Sequence, residues 1–135
     1  MDIQQSLQHI LQSKDVFGHA FYDVFFARHP EALEYFGDVD MNRQALVLTM
    51  ALTVIQQYYT SKYPTVEQYL QYMGSQHHRR GVPPDFYPKW RDCMLEALEA
   101  FHGEDWHSDL SREWREAIEL STEPMLRGYE ERTGV

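Results

Sequence analysis

Residues 70–87 read LQYMGSQHHRRGVPPDFY, and this stretch places two adjacent histidines just before a strong helix-ending signal. Gly81 suits the left-handed conformation that follows a helix, and the two prolines after it cannot continue one. The pattern therefore predicts a helix over residues 65–81, with Thr65 as its N-terminal cap. What the helix does depends on which histidine faces the interior.

Helical spacing separates the two histidines. Steps of three or four residues back from His77 reach apolar side chains, namely Met73, Leu70 and Val66. The same steps from His78 reach small or polar residues, namely Gly74, Gln71 and Glu67. We therefore expect His77 on the buried face and His78 on the solvated face. On spacing alone, His77 could still be a core histidine bonded to a backbone carbonyl.

The rest of the chain shows the same helical periodicity, with no hairpin signal and no sustained alternation. Asp2 can cap a first helix that Ser13-Lys14-Asp15 breaks. Further helices are expected over residues 15–29, 41–61, 85–102 and 108–130, with a kink at Pro124 in the last of them. The sequence predicts one all-α domain over residues 1–135, with six or seven helices.

Composition excludes several functions. The 135 residues carry a net charge of −9, which disfavours nucleic acid and anionic membranes as partners. Cys93 is the single cysteine, so no internal disulfide or CxxC site can form. The longest apolar run, ALVLTMALTVI at residues 45–55, is shorter than the roughly 20 residues that cross a bilayer. With no signal peptide in view, we expect a soluble protein of a reducing compartment, most simply the cytoplasm.

Two more polar residues fall on apolar stripes. Gln44 shares a face of the 41–61 helix with Met41, Leu48, Leu52 and Ile55. Tyr22 lies within HAFYDVFF, and its phenol needs a hydrogen-bond partner if it is buried. Together with His77, these residues could form one polar network, or they could face a cavity that holds a cofactor. The residues alone leave both interpretations open.

Three segments together resemble bacterial single-domain globins and the globin domain of flavohaemoglobins. They are FYDVFFARHPEALEYFG at residues 21–37, FGDVDMNRQ at 36–44 and GSQHHRRGVPPDFYP at 74–88. In this family the iron-binding histidine stands four residues before a Gly-Val pair, which here selects His77. The resemblance covers about residues 15–118 and implies a globin fold around a haem pocket.

The resemblance also implies site residues. His77 would bind the iron of haem b, and Tyr22 and Gln44 would donate hydrogen bonds to a ligand on the opposite, distal side. The other residues expected to contact the haem are Phe36, Leu48, Met73, Val82, Tyr87 and Trp90. Met41 is the one alternative distal ligand that would make the iron six-coordinate.

The chain departs from the family pattern in places. Trp90 stands where a smaller apolar residue is usual, and the first helix is short. Flavohaemoglobins have a glutamate that pairs with the proximal tyrosine and histidine, whereas that position here falls near Tyr129, with Glu130 beside it. The proximal charge network of the family is therefore not carried over to this chain.

The implied function is reversible binding of dioxygen, carbon monoxide and nitric oxide at a five-coordinate iron. Two distal donors favour slow dioxygen release, so oxygen transport is less favoured than tight binding, sensing or redox chemistry. Nitric oxide dioxygenation would need a separate reductase, since no Gly-rich nucleotide-binding motif is present, and whether the protein is an enzyme stays open. The alternatives are a gas or redox sensor that signals by association and a haem-free globin-fold interaction protein. A monomer and a homodimer are both compatible, and the seven histidines form no HxxxH or HExxH zinc motif.

Overall fold

The structure, a computed structural model, describes residues 1–131. Within this range the chain forms six α-helices and no strand. They are α1 (Ile3–Gln12), α2 (Val16–Arg28), α3 (Met41–Ser61), α4 (Pro64–Arg79), α5 (Phe86–His102) and α6 (Ser108–Glu131). Two short 3-10 segments, Pro30–Phe36 and Gly103–Asp105, follow α2 and α5. The predicted all-α fold is confirmed.

Carboxylates cap two of these helices, at Asp2 as the sequence predicts and at Asp40, which was not predicted. Asp2 and Gln5 form a reciprocal capping box at α1, with both side chain-to-backbone hydrogen bonds at 2.9 Å. The Asp40 carboxylate accepts the backbone N–H groups of Asn42 and Arg43, at 3.0 and 3.4 Å, and so caps α3. These local bonds place both helix starts where the periodicity begins.

The predicted cap of α4 was wrong by two residues. Tyr63 is the N-cap residue and Pro64 occupies the first turn, so Thr65 already lies inside the helix. Proline has no N–H to satisfy and its fixed φ suits the first helical position, which lets the helix begin before Thr65.

The end of α4 is a Schellman motif. The Val82 N–H donates to the His77 carbonyl and the Gly81 N–H donates to the His78 carbonyl, both at 3.0 Å. Gly81 has a φ of +81°, which only glycine adopts without strain. The motif fixes the chain that follows α4 directly to the backbone of His77.

Close helix crossings hold the bundle together at three glycines. A Cβ atom on Gly18 of α2 would overlap the backbone of Ala45 on α3. On α4 and α6, a Cβ on Gly74 would overlap the Met125 carbonyl, and one on Gly128 would overlap the Gln71 carbonyl. Only a residue without a Cβ lets these backbones come so near. As a result α4 is held tightly against α6, and α2 against α3.

The last helix packs its apolar stripe into the core as its spacing predicts. The buried members are Leu110, Trp114, Ile118 and Met125. Pro124 is fully buried, and α6 continues through it to Glu131. None of the described helices is both long and apolar enough to cross a membrane.

Candidate functional site

An apolar cavity of about 210 Å³ opens between α2, α3, α4, α5, α6 and the first 3-10 segment. All nine site residues expected from the sequence line it, namely Tyr22, Phe36, Gln44, Leu48, Met73, His77, Val82, Tyr87 and Trp90. Met41, the alternative distal ligand, packs against the core but is not among the lining residues. The structure brings the expected residues together, and their chemical roles remain predictions.

The His77 side chain lines this cavity. Its Nδ1 atom is hydrogen-bonded to the Tyr87 hydroxyl at 2.8 Å. Among the described residues, none forms a hydrogen bond to its Nε2 atom. Burial, and to a lesser degree the nearby charge of Arg80, lowers the pKa of His77, which favours the neutral ring. A neutral imidazole whose second nitrogen has no hydrogen bond can bind a metal ion. The hydrogen-bond partner of the His77 ring is the phenol of Tyr87 rather than a backbone carbonyl.

Two phenols, Tyr87 and Tyr129, lie beside His77, with their ring centroids 6.0 Å apart. Burial raises the pKa of Tyr87 far above its ordinary value, and the adjacent Tyr129 hydroxyl raises it further. The Tyr129 hydroxyl in turn donates to the Val82 carbonyl at 2.8 Å. Sequence reasoning gave Tyr129 no site role, although it lies four residues after Met125 and so extends the buried stripe of α6.

Tyr22 and Gln44 form a direct pair inside the cavity. The Gln44 amide Nε2 donates to the Tyr22 hydroxyl oxygen at 2.9 Å. Burial raises the pKa of Tyr22 to about 12, which keeps the phenol neutral and its proton available. The Tyr22 O–H donates to no other described residue. Phe26 and Phe36 pack on its ring with centroids 5.5 and 5.4 Å away, which holds the hydroxyl in place.

Comparison with known proteins identifies the family. The family model for globins matches residues 19–123, which is most of the chain. The chain belongs to the globin family. Its structure is similar to that of a bacterial globin from Campylobacter jejuni, with a TM-score of 0.82 and 16% sequence identity over 98% of this chain and 95% of that one. No curated protein gives a significant sequence match.

Globins bind haem, and the cavity of this globin fits that group. The lining is mostly apolar and includes the flat rings of Phe36 and Trp90, against which a porphyrin can pack. The Nε2 atom of His77 bonds to no described residue, so it is available to a metal ion. Ser121 also lines the cavity, and its buried hydroxyl has no hydrogen-bond partner among residues 1–131. An orphaned buried hydroxyl costs about 1–3 kcal/mol, so the cavity is better suited to hold a molecule with polar groups than to stay dry.

Two residues at the edge of the cavity of this globin were not expected from the sequence. Arg80 lines the cavity on its exposed side and takes part in no ion pair within the described part of the chain. Tyr35 lines the same edge and donates its hydroxyl proton to the Gly81 carbonyl at 3.2 Å. A free guanidinium beside an apolar cavity suits a cofactor that carries carboxylates.

The position of His78 differs from the expectation. Its side chain is half-buried, and its ring packs on Tyr129 with centroids 4.9 Å apart. Spacing within α4 alone placed this face in solvent, but the end of α6 covers it. Within residues 1–131, no three His, Cys, Asp or Glu side chains are grouped to hold a metal ion.

Proposed function

We propose that this globin binds haem b with His77 as the iron ligand, and that dioxygen, carbon monoxide or nitric oxide binds the sixth position. The observation that supports it is the His77 ring, which lines the same cavity as Tyr22, with Nδ1 bonded to Tyr87 and Nε2 bonded to no described residue. A non-covalently held haem b also suits a chain whose single cysteine, Cys93, does not line the cavity.

The residues that line the cavity would bind different parts of the haem. Phe36, Leu48, Met73, Val82 and Trp90 would exclude water from the porphyrin, since burial of apolar surface drives binding. Arg80 would pair with a carboxylate of the cofactor at the open edge. Tyr87 would orient the His77 ring, because the partner of one ring nitrogen fixes the direction of the other.

On the distal side, Tyr22 would donate a hydrogen bond to the bound gas. When bound, ferrous haem supplies the electron density that gives dioxygen a partial negative charge. Gln44 donates one amide proton to the Tyr22 oxygen, so it would orient Tyr22, and its second amide proton would be available to the bound gas. Such a bond contributes about 1.5–3 kcal/mol, so dioxygen would leave slowly. The absence of Met41 from the lining residues supports a five-coordinate resting iron.

Slow release also supports nitric oxide dioxygenation as an activity of this site. Nitric oxide and dioxygen combine to give nitrate when one electron is supplied, and a separate reductase would supply it. Tyr22 would hold the dioxygen long enough for the second gas to arrive. Nitrate formation in the presence of a reductase, measured against Tyr22→Phe, separates this activity from simple gas binding.

The decisive experiment is an absorption spectrum of the purified protein with added haemin, in the ferric, ferrous and ferrous–carbon monoxide forms. We expect a Soret band that shifts on adding carbon monoxide, lost or altered in His77→Ala and retained in His78→Ala. His78 is a matched control because it is the adjacent histidine on the same helix. A wild-type protein that binds no haem would contradict the proposal and favour a haem-free interaction module. Ligand-dependent dimerisation of a haem-loaded protein would favour a sensor.

A further inference from the structure

The exposed side of α3 is apolar and almost free of charge. Leu46, Val47 and Met50 are 51%, 48% and 58% exposed. The helical period places these three positions within an arc of about 100°, so they form one surface. No Asp or Glu occurs in residues 41–66, although the chain has 21 such residues, and Arg43 is the one charged side chain of α3. Exposed apolar surface of this kind is typical of a binding site.

We infer that this surface binds a second copy of the chain, with the two α3 helices antiparallel and Met50 at the two-fold axis. The surface, which we call the α3 face, consists of exposed or half-buried residues along one side of the helix: Arg43, Leu46, Val47, Met50, Thr53, Val54 and Gln57. The inference goes beyond gas binding and does not depend on haem. Val47 also lines the cavity, so the second copy covers the α3 side of that cavity.

The α3 face is self-complementary about Met50. A two-fold axis there pairs positions that are equally far from Met50 on the two antiparallel helices. Leu46 then meets Val54 of the second copy, and Val47 meets Thr53 of the second copy. The Thr53 hydroxyl already donates to the carbonyl four residues earlier, at 3.2 Å. It therefore brings no unbonded donor into the contact.

The two ends of α3 carry charges that attract each other in this arrangement. Asp38, Asp40 and Arg43 lie at its start, and Lys62 directly follows its end. Within residues 1–131, neither Arg43 nor Lys62 forms an ion pair. Antiparallel pairing places Lys62 at the end of the contact that carries the two carboxylates of the second copy. It also places Arg43 near the negative end of the other helix dipole, whereas its own helix presents the positive end there.

The chemistry of the α3 face favours a second copy over other partners. Each chain carries a net charge of −9, so most surfaces of two copies repel each other. The α3 face lets two copies approach without setting one carboxylate opposite another. A basic protein would find no acidic residue on this face, and an anionic membrane would find only Arg43 to attract it.

The size of the α3 face predicts a weak dimer. A helix of this length presents a strip about 30 Å long and about 12 Å wide, which gives roughly 400 Å² from each copy and roughly 800 Å² in total. Contacts of that size are below the standard interface and belong to transient complexes. We therefore expect a dissociation constant on the order of 10–100 µM.

The first test is sedimentation of the full chain from about 5 to 500 µM, a range that brackets the expected dissociation constant. The average mass of the wild type should rise from monomer towards dimer. Met50→Asp should weaken association at least tenfold, because the two carboxylates meet at the axis. Tyr72→Asp is the matched control, since Tyr72 is also 58% exposed but lies on α4. Raising the salt from about 20 to 300 mM should strengthen the dimer, because it screens the repulsion between two acidic chains.

A second test uses disulfide cross-linking, which does not depend on a charge change. Met50→Cys should form a covalent dimer when diamide oxidises the two thiols, because residues at the axis are close to their own copies. The wild type shows the background, since its single cysteine, Cys93, is 3% exposed. Tyr72→Cys should stay monomeric under the same conditions.

Three results would overturn the inference. They are a wild type that stays monomeric over the whole range, a Met50→Asp protein that associates like the wild type, and cross-linking through position 72 in place of position 50. Each of them leaves haem binding by His77 untouched. A chain that dimerises through α3 but shows no Soret band with haemin would instead overturn the proposed function alone.

Discussion

At the scale of single residues, Tyr22 shows how one oxygen atom changes a hydrophobic cluster. Its ring meets Phe21 edge-on at 5.1 Å and packs on Phe26 and Phe36, as a phenylalanine would. The hydroxyl is the only polar feature of that side chain, and burial keeps it neutral. Tyr22 therefore packs in the core through its ring and offers one hydrogen-bond donor, its hydroxyl group.

Tyr22→Phe should speed dioxygen release roughly 10–100-fold, since a hydrogen bond to a charged acceptor contributes about 1.5–3 kcal/mol. Carbon monoxide carries less negative charge, so its release should change much less. Gln44→Leu should give a smaller increase, because the amide acts on the Tyr22 oxygen. Stopped-flow ligand displacement measures all three rates. Equal changes for the two gases would show that the hydroxyl does not contact bound dioxygen.

At the scale of helices, the relation of α4 to α6 decides where His77 lies. The two helices cross so closely that Gly74 and Gly128 meet backbone atoms of the facing helix. Close contact of this kind leaves little freedom for α4 to shift along or roll on α6. The position of the His77 backbone is thus a property of the helix pair, while Tyr87 of α5 contacts the ring itself.

Gly128→Ala should lower the free energy of unfolding by roughly 1–3 kcal/mol, because the added methyl group overlaps the Gln71 backbone. Urea denaturation measures the change. The overlap has to outweigh the roughly 1 kcal/mol that alanine gains over glycine in a helix.

Gly37→Ala is the control for this prediction. A Cβ at Gly37 would meet nothing within 4 Å, and its φ of −56° suits alanine. We expect a change within about 0.5 kcal/mol. If Gly128→Ala proved as stable as Gly37→Ala, the two helices would not be as close as described.

At the scale of the whole molecule, a second buried network joins three helices through residues that do not line the cavity. The Trp114 indole N–H donates to Ser6 Oγ at 2.9 Å, and Ser6 Oγ lies 2.6 Å from His102 Nε2. Ser6 and Trp114 are fully buried. The network links α1 to α5 and α6 and depends on His102 remaining neutral, with Nε2 free to accept.

Acid should therefore destabilise the fold. Burial, assisted by the nearby charge of His9, lowers the pKa of His102 from the ordinary value of 6.5, while Asp105 opposes the shift. The unfolded chain then binds a proton at higher pH than the folded chain does. The stability that His102 contributes is complete above about pH 6.5 and is lost as the pH falls through the folded-state pKa.

The measurement is the free energy of unfolding at several pH values between 7.5 and 5. His102→Gln keeps a neutral acceptor near Ser6 and should reduce the slope against pH. His19→Gln, at a half-buried histidine that bonds to Asn42 and lies outside the Ser6 network, serves as the comparison and should keep more of the slope than His102→Gln does. Equal slopes in all three proteins would place the acid sensitivity elsewhere.

Much of this globin is readable from its residues because helices obey local rules. The bounds Met41–Ser61 agree with the periodicity, and the histidine selected by spacing lines the cavity. The family resemblance added the partner residues on other helices. The start of α4 was missed because Pro64 and Thr65 are both acceptable starting signals, and their local preferences differ by little.

The sequence by itself determined most of the helix bounds and placed His77 on an apolar stripe of α4, since a period of 3.6 residues is a property of neighbouring residues. Only the tertiary structure decided that Tyr87 holds the ring, that Tyr129 stands behind it and that Ser6 meets His102. Ser6 and His102 are 96 positions apart, yet their polar atoms lie 2.6 Å from each other. A hydrogen bond between residues so far apart in sequence depends on the angle and distance at which whole helices cross. A local sequence pattern does not specify that geometry.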